Sequence, residues 1–231
     1  MAKKKPRPKR ASALKTRRLE RDVELRALAI DSNFEPATQA AFDYRQVHVY
    51  PYLQSKGLAI VRCQGPLARR IYAAPAARRD DVVYVTGVGH GSYTTYTGDQ
   101  YDPVFEEANY HPDEPKGKIV HFLSCQTAAR LGPDFVQDGC HAYFGYDENF
   151  TFDPNIADVF FECDSRIDRE FADGRTAADV YRRVIDIYNR RISDLDDAGH
   201  AYAARLLEFD RNHLRAPSVD PRWGSEQAKI G

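Results

Sequence analysis

Short apolar runs set at intervals along the chain constrain its fold more than any other feature. Residues 47–50, 58–63, 82–86, 119–124 and 142–146 are each of strand length and bounded by turn residues. Between them lie helix-like stretches at 66–79 and 127–137, with later ones at 154–172, 176–193 and 195–213. Strands alternating with helices imply an α/β fold, a mostly parallel sheet flanked by helices on both faces. Ahead of them, Leu14, Leu19, Val23, Leu25, Leu28 and Ile30 have the spacing of an amphipathic helix over 12–30, which Pro36 follows as a break. The pattern predicts a basic arm at 1–11, a helical extension at 12–45, an α/β domain at 46–214 and a polar tail at 215–231.

A chain of 231 residues with 42% hydrophobic and 29% charged side chains can bury a sizeable core, which excludes wholesale disorder, a coiled rod and a disulfide scaffold. No run reaches the roughly 18 apolar residues of a membrane-spanning helix, and the basic start lacks the apolar stretch of a secretory signal. A cytoplasmic protein without a membrane partner is expected. The net charge of −1 conceals an asymmetry: residues 1–22 carry ten Lys and Arg against Glu20 and Asp22, leaving 23 basic and 32 acidic residues for the rest. Such an arm, predicted to be disordered, suits electrostatic contact with nucleic acid or an acidic partner, or loose docking on its own acidic body. Cys63, Cys125, Cys140 and Cys163 form no CxxC pair, and Cys140 and His141 are adjacent, hence on opposite sides of a strand. No structural metal is expected.

In parallel sheets ligands gather at the carboxyl ends of the strands. The run at 82–86 leads into Gly87-Val88-Gly89-His90-Gly91-Ser92, and that at 119–124 into Cys125-Gln126-Thr127-Ala128. An imidazole among glycines and a thiol at the expected start of a helix are the parts of a cysteine nucleophile with its acid–base partner, since both features favour the thiolate. The backbone N–H groups of Gly91 and Cys125 are the expected oxyanion donors, and acyl transfer at a peptide bond is the chemistry these groups suit.

Gly-His-Gly after one strand, Ser-Cys-Gln-Thr-Ala after the next, then Leu131-Gly132, Phe135-Val136, Asp138-Gly139 and Ala142-Tyr143-Phe144-Gly145-Tyr146 resemble the caspase-like cysteine peptidases. Within that clan the segment is most similar to bacterial gingipain-like and CHAT-domain proteases. The similarity runs from about residue 82 to 146, with 160–178 resembling the segment that often follows. The resemblance implies a caspase-hemoglobinase fold, a His90–Cys125 dyad, no cofactor, and a protein or peptide substrate in controlled proteolysis, with a regulatory protein partner. Ala128 stands where the family commonly has Gly, and the loop at 92–118, with Tyr93, Tyr96, Tyr101 and Tyr110, has no counterpart that aligns.

Competing readings meet the same residues. Gly87-x-Gly89 followed by Ser92 fails the dinucleotide fingerprint, and Cys125 to Arg130 is one residue short of the phosphatase loop. A core thiol and a histidine satisfied in a turn remain the plain alternative, and with it an inactive binding or scaffold protein on the same fold. Cys63, Cys140 and Cys163 read as core thiols, and His121 and His141 as packed or edge residues. For specificity, the acidic group Asp147, Glu148 and Asp153 after the last strand suggests a substrate Arg or Lys before the scissile bond; Asp99 and Asp102 compete for that role.

Overall fold

A computed structural model describes residues 24–231, so the basic arm and the first part of the expected N-terminal helix lie outside the described residues. The remainder of that helix is a strand. Arg26–Asp31 forms β1, paired in parallel with β2 (Ala59–Gln64) on one side and β3 (Val82–Val88) on the other. Leu25, Leu28 and Ile30 fit a helical spacing, but the unbroken Ala-Leu-Ala-Ile run is what a strand buried on both faces requires. Among the described residues, the C-terminal part of the expected helix is thus β1, a strand of the main sheet.

Beyond β3 the sheet continues through β6 (Ile119–Leu123) and β7 (Ala142–Tyr146), both parallel, to the two-residue antiparallel β8 (Leu214–Arg215). Its order is β2-β1-β3-β6-β7-β8, with β4 (Thr95–Thr97) and β5 (Pro103–Glu106) forming a separate hairpin in the long loop. The chain leaves β1 toward β2 and then crosses to β3 on the opposite side, so the carboxyl ends of β1 and β3 flank a topological switch point, where parallel sheets bind ligands.

Alternate residues of each strand feed two cores. Ala27, Ala29, Tyr84, Leu123, Phe144 and Tyr146 face α1 (Pro36–His48), α2 (Tyr50–Ser55), α5 (Ala157–Ala172), α6 (Ala177–Asp197) and α7 (Ala201–His213). Leu28, Ile30, Val85, Val120, Phe122 and Tyr143 face α3 (Arg70–Ala77), α4 (Leu131–Gln137) and the hairpin. The apolar run at 47–50, expected as a strand, joins α1 to α2. Val49 and Tyr50 are fully buried while Val47 is 66% exposed, the single-sided burial of a helix rather than a strand between two layers.

The polar tail is packed. Trp223 is buried and donates from Nε1 to the Ala128 carbonyl at 2.7 Å, and Ser225 N–H bonds the His141 carbonyl. None of the described helices is long and apolar enough to cross a membrane.

Candidate active site

The carboxyl ends of four neighbouring strands deliver the site. Phe34 and Glu35 follow β1, His90 follows β3, Cys125 follows β6, and Phe150 and Phe152 lie in the segment after β7. His90 and Cys125 line one cavity of about 120 Å³, whose remaining wall comes largely from Ala37, Ala41, Val88, Phe150, Phe152 and Phe161.

The two loops are in backbone contact. A Cβ at Gly91 would lie 2.3 Å from the Cys125 carbonyl oxygen, so only glycine lets the imidazole loop approach the thiol loop this closely. The Ser-Cys-Gln-Thr sequence closes on itself: the Ser124 and Thr127 hydroxyls bond at 2.8 Å, and Tyr143 of β7 donates to Thr127 Oγ1 at 2.8 Å. Gln126 takes the left-handed conformation, φ 62°, and its N–H bonds the Glu148 carbonyl. A non-glycine residue there is strained, as is common where a turn presents a reactive side chain. Among the described residues neither the Gly91 nor the Cys125 amide N–H has an acceptor, which leaves both for a ligand oxygen.

His90 is one-third exposed and sits between Phe34 and Tyr101, with ring centroids 6.0 and 4.9 Å away. Gln100 and Tyr101 both have positive φ, and this strained turn holds the Tyr101 ring beside the imidazole. His90 Nε2 lies 3.2 Å from Glu35 Oε1, within ion-pair distance but off hydrogen-bond alignment. Glu35 also caps α1, its two carboxylate oxygens accepting from Thr38 N–H at 2.8 Å and Ala37 N–H at 3.2 Å. Burial works to raise its pKa, yet these N–H donors and His90 outweigh it and hold the carboxyl below its usual value. Sequence reasoning missed Glu35; a Glu-Pro-Ala-Thr helix start was its available signal.

Cys125 departs from expectation. The helix begins at Leu131, six residues later, so no helix terminus supports the thiol, and burial pushes its pKa up while the Phe150 N–H on the sulfur pulls it back. Burial thus favours the protonated thiol over the thiolate at Cys125. Cys63, Cys140 and Cys163 are buried; burial alone pushes Cys63 to about 11, and it pushes Cys140, whose S–H donates to the Lys118 and Ala142 carbonyls, to about 12.

The carboxylates expected to bind a basic substrate residue are placed elsewhere. Asp147 bonds Arg215 at 2.6 Å and His213 at 3.0 Å, and Asp153 caps its own turn through Asn155. Glu148 meets the thiol loop through its backbone carbonyl, and none of the three lines the cavity. Asp99 is held by Arg69 at 2.7 Å.

Beneath the site runs a chain of buried charges. Asp31, at the end of β1, accepts from the Val88 N–H that leads into the His90 loop, and lies 3.3 Å from Arg45 of α1. Arg45 reaches Asp168 of α5 at 3.1 Å, and His121 of β6 stands between Asp168 at 3.3 Å and Asp164 at 3.1 Å. Burial disfavours the imidazolium, but the two carboxylates outweigh it and raise His121 to about 9. His121, Asp164 and Asp168 have ligand atoms within 4.8 Å of one another, a spacing a metal could share. Both ring nitrogens, however, already face carboxylate oxygens as an imidazolium would, and that leaves no lone pair for an ion. No protein-family description matches the chain, and no curated protein matches it.

Proposed function

We propose that the chain is a cysteine endopeptidase on a caspase-like α/β fold, with Cys125 as nucleophile and His90 as its acid–base partner. The observation that carries this is the convergence of the two side chains, from separate loops, on the wall of one cavity at the switch point of a parallel sheet. The Gly-His-Gly and Ser-Cys-Gln-Thr resemblance supports it independently. Glu35 is a positioning residue: its carboxylate favours the imidazolium and fixes the ring.

Because the resting sulfur is protonated, reaction begins when the S–H proton passes to the His90 imidazole as sulfur bonds the substrate carbonyl carbon. The carbonyl π pair moves onto oxygen, facing the Gly91 and Cys125 N–H groups. As the pair returns, the C–N bond breaks and the amine departs with the proton from His90. Water then adds to the thioester and releases the acid, returning the proton to sulfur. No cofactor takes part. Cys125→Ala abolishes cleavage of a denatured protein substrate, and mass spectrometry of a peptide ketone adduct locates the label on Cys125; full activity in the variant refutes the assignment.

One observation favours a second reading, a binding module without turnover: the raised thiol pKa, with no hydrogen bond joining Cys125 to His90 among the described residues. In that reading residues 1–22 contact nucleic acid or an acidic partner, and deletion of residues 1–10 flattens the salt dependence of binding. Peptide turnover by the intact chain rejects it.

A further inference from the structure

We propose that the cavity beside Cys125 and His90 is the specificity pocket for a large apolar side chain, leucine or phenylalanine in type, immediately before the bond that is cut. The proposal rests on the peptidase reading and deepens it. Cys125 and His90 fix where the scissile carbonyl sits, and the adjoining cavity is the space open to the side chain next to that carbonyl. Its wall is mostly apolar: Ala37 and Ala41, one turn apart on α1, form a shallow side, and Val88, Phe150, Phe152 and Phe161 supply bulk, while the Thr38 and Ser124 hydroxyls bond within the protein.

A guanidinium entering here would lose its water against a lining that contains no carboxylate, and Asp147 and Asp153 are bonded elsewhere, Asp147 to Arg215 and His213 and Asp153 to its own turn. Phe150 and Phe152 are partly exposed, which is unfavourable for adjacent aromatics unless something covers them. Phe150 and Cys125 line the same cavity, so a side chain that fills it lies against the nucleophile.

The test uses the full chain and peptidyl acyloxymethyl ketones carrying Leu, Phe, Ala, Arg or Asp beside the ketone, with the rate of Cys125 alkylation read by mass spectrometry and iodoacetamide as reference. Leu and Phe probes should react roughly tenfold or more faster than Arg and Asp probes. Ala37→Leu, at a partly exposed position, should slow the Phe probe relative to the Ala probe by about tenfold. Phe152→Ala should shift the preference toward bulkier residues, and Glu148→Gln should leave the ranking untouched. An Arg probe that reacts fastest and loses its advantage in Glu148→Gln, or a ranking indifferent to both Ala37→Leu and Phe152→Ala, overturns the apolar pocket while the peptidase stands. If no peptide ketone labels Cys125 although iodoacetamide does, the peptidase reading falls and the pocket with it.

Discussion

Strands β6 and β7 present Phe122 and Tyr143 to one side of the sheet, where they meet Tyr96, Phe105 and Phe135 edge-on or stacked. The same strands present His121 and Tyr146 to the other side, where they meet the carboxylates of α5. Aromatic contacts are individually weak and many, so the first side should yield gradually to change. Buried charges of alternating sign are few and each needs its neighbour, so the second should fail abruptly when one is removed. The less forgiving side reaches the His90 loop through Asp31 and the Val88 N–H, and the aromatic side reaches the Cys125 loop through Tyr143 and Thr127.

The largest effect expected from that contrast is on the ionic side. Arg45→Leu leaves Asp31 buried without a cation and Asp168 with His121 alone, and should cost about 3–5 kcal/mol by urea denaturation. Phe122→Leu, on the aromatic side, should cost about 1.5 kcal/mol or less. Equal losses would erase the distinction.

A second difference is in pH. His121 binds its proton more tightly folded than unfolded, so its contribution is complete below about 6.5 and declines as pH rises through about 9. Asp168 is held well below its ordinary value, burial being outweighed by Arg45 and His121, so its contribution is lost only as strong acid protonates it. The urea midpoint of the native chain should fall from pH 7 to 9.5, at most about 1.4 kcal/mol per pH unit from His121, and His121→Asn should flatten that slope. A slope unchanged in the variant would assign it to other groups.

The smallest stability effect is expected at Glu35, beside the His90 loop. Glu35→Gln should leave stability within about 1 kcal/mol, since an amide oxygen still caps α1, while lowering kcat on the order of tenfold and shifting its pH profile. Loss of stability without a shift in the profile would make Glu35 a helix cap and nothing more.

His90 and Cys125 were legible because each ends an apolar run that is itself a strand, a local pattern. Glu35 was not, because its effect arises from β1 standing beside β3, and β1 was concealed by a spacing that fits helix and strand alike. The start of α4 was displaced because turn residues 127–130 have no periodicity to reveal them. Arg45 and His121 resemble ordinary helix-surface and strand residues until α5 is packed against the sheet. The acidic group at 147–153 was read as free for substrate because partners at 213 and 215 are distant in sequence.

Arg45 and Asp168 lie 123 residues apart, and His121 likewise precedes both of its carboxylates. A chain emerging from the ribosome therefore holds strands, thiol and imidazole loops before the α5 carboxylates that Arg45 and His121 face. Until that helix docks, Arg45 has only Asp31 beside it, and His121, without Asp164 and Asp168, is buried more readily as the neutral imidazole. Docking of α5 is thus the step at which the sheet beneath the site takes up its second cation, and a nascent chain stopped short of residue 164 should lack it although it carries the complete Gly-His-Gly and Ser-Cys-Gln-Thr segments.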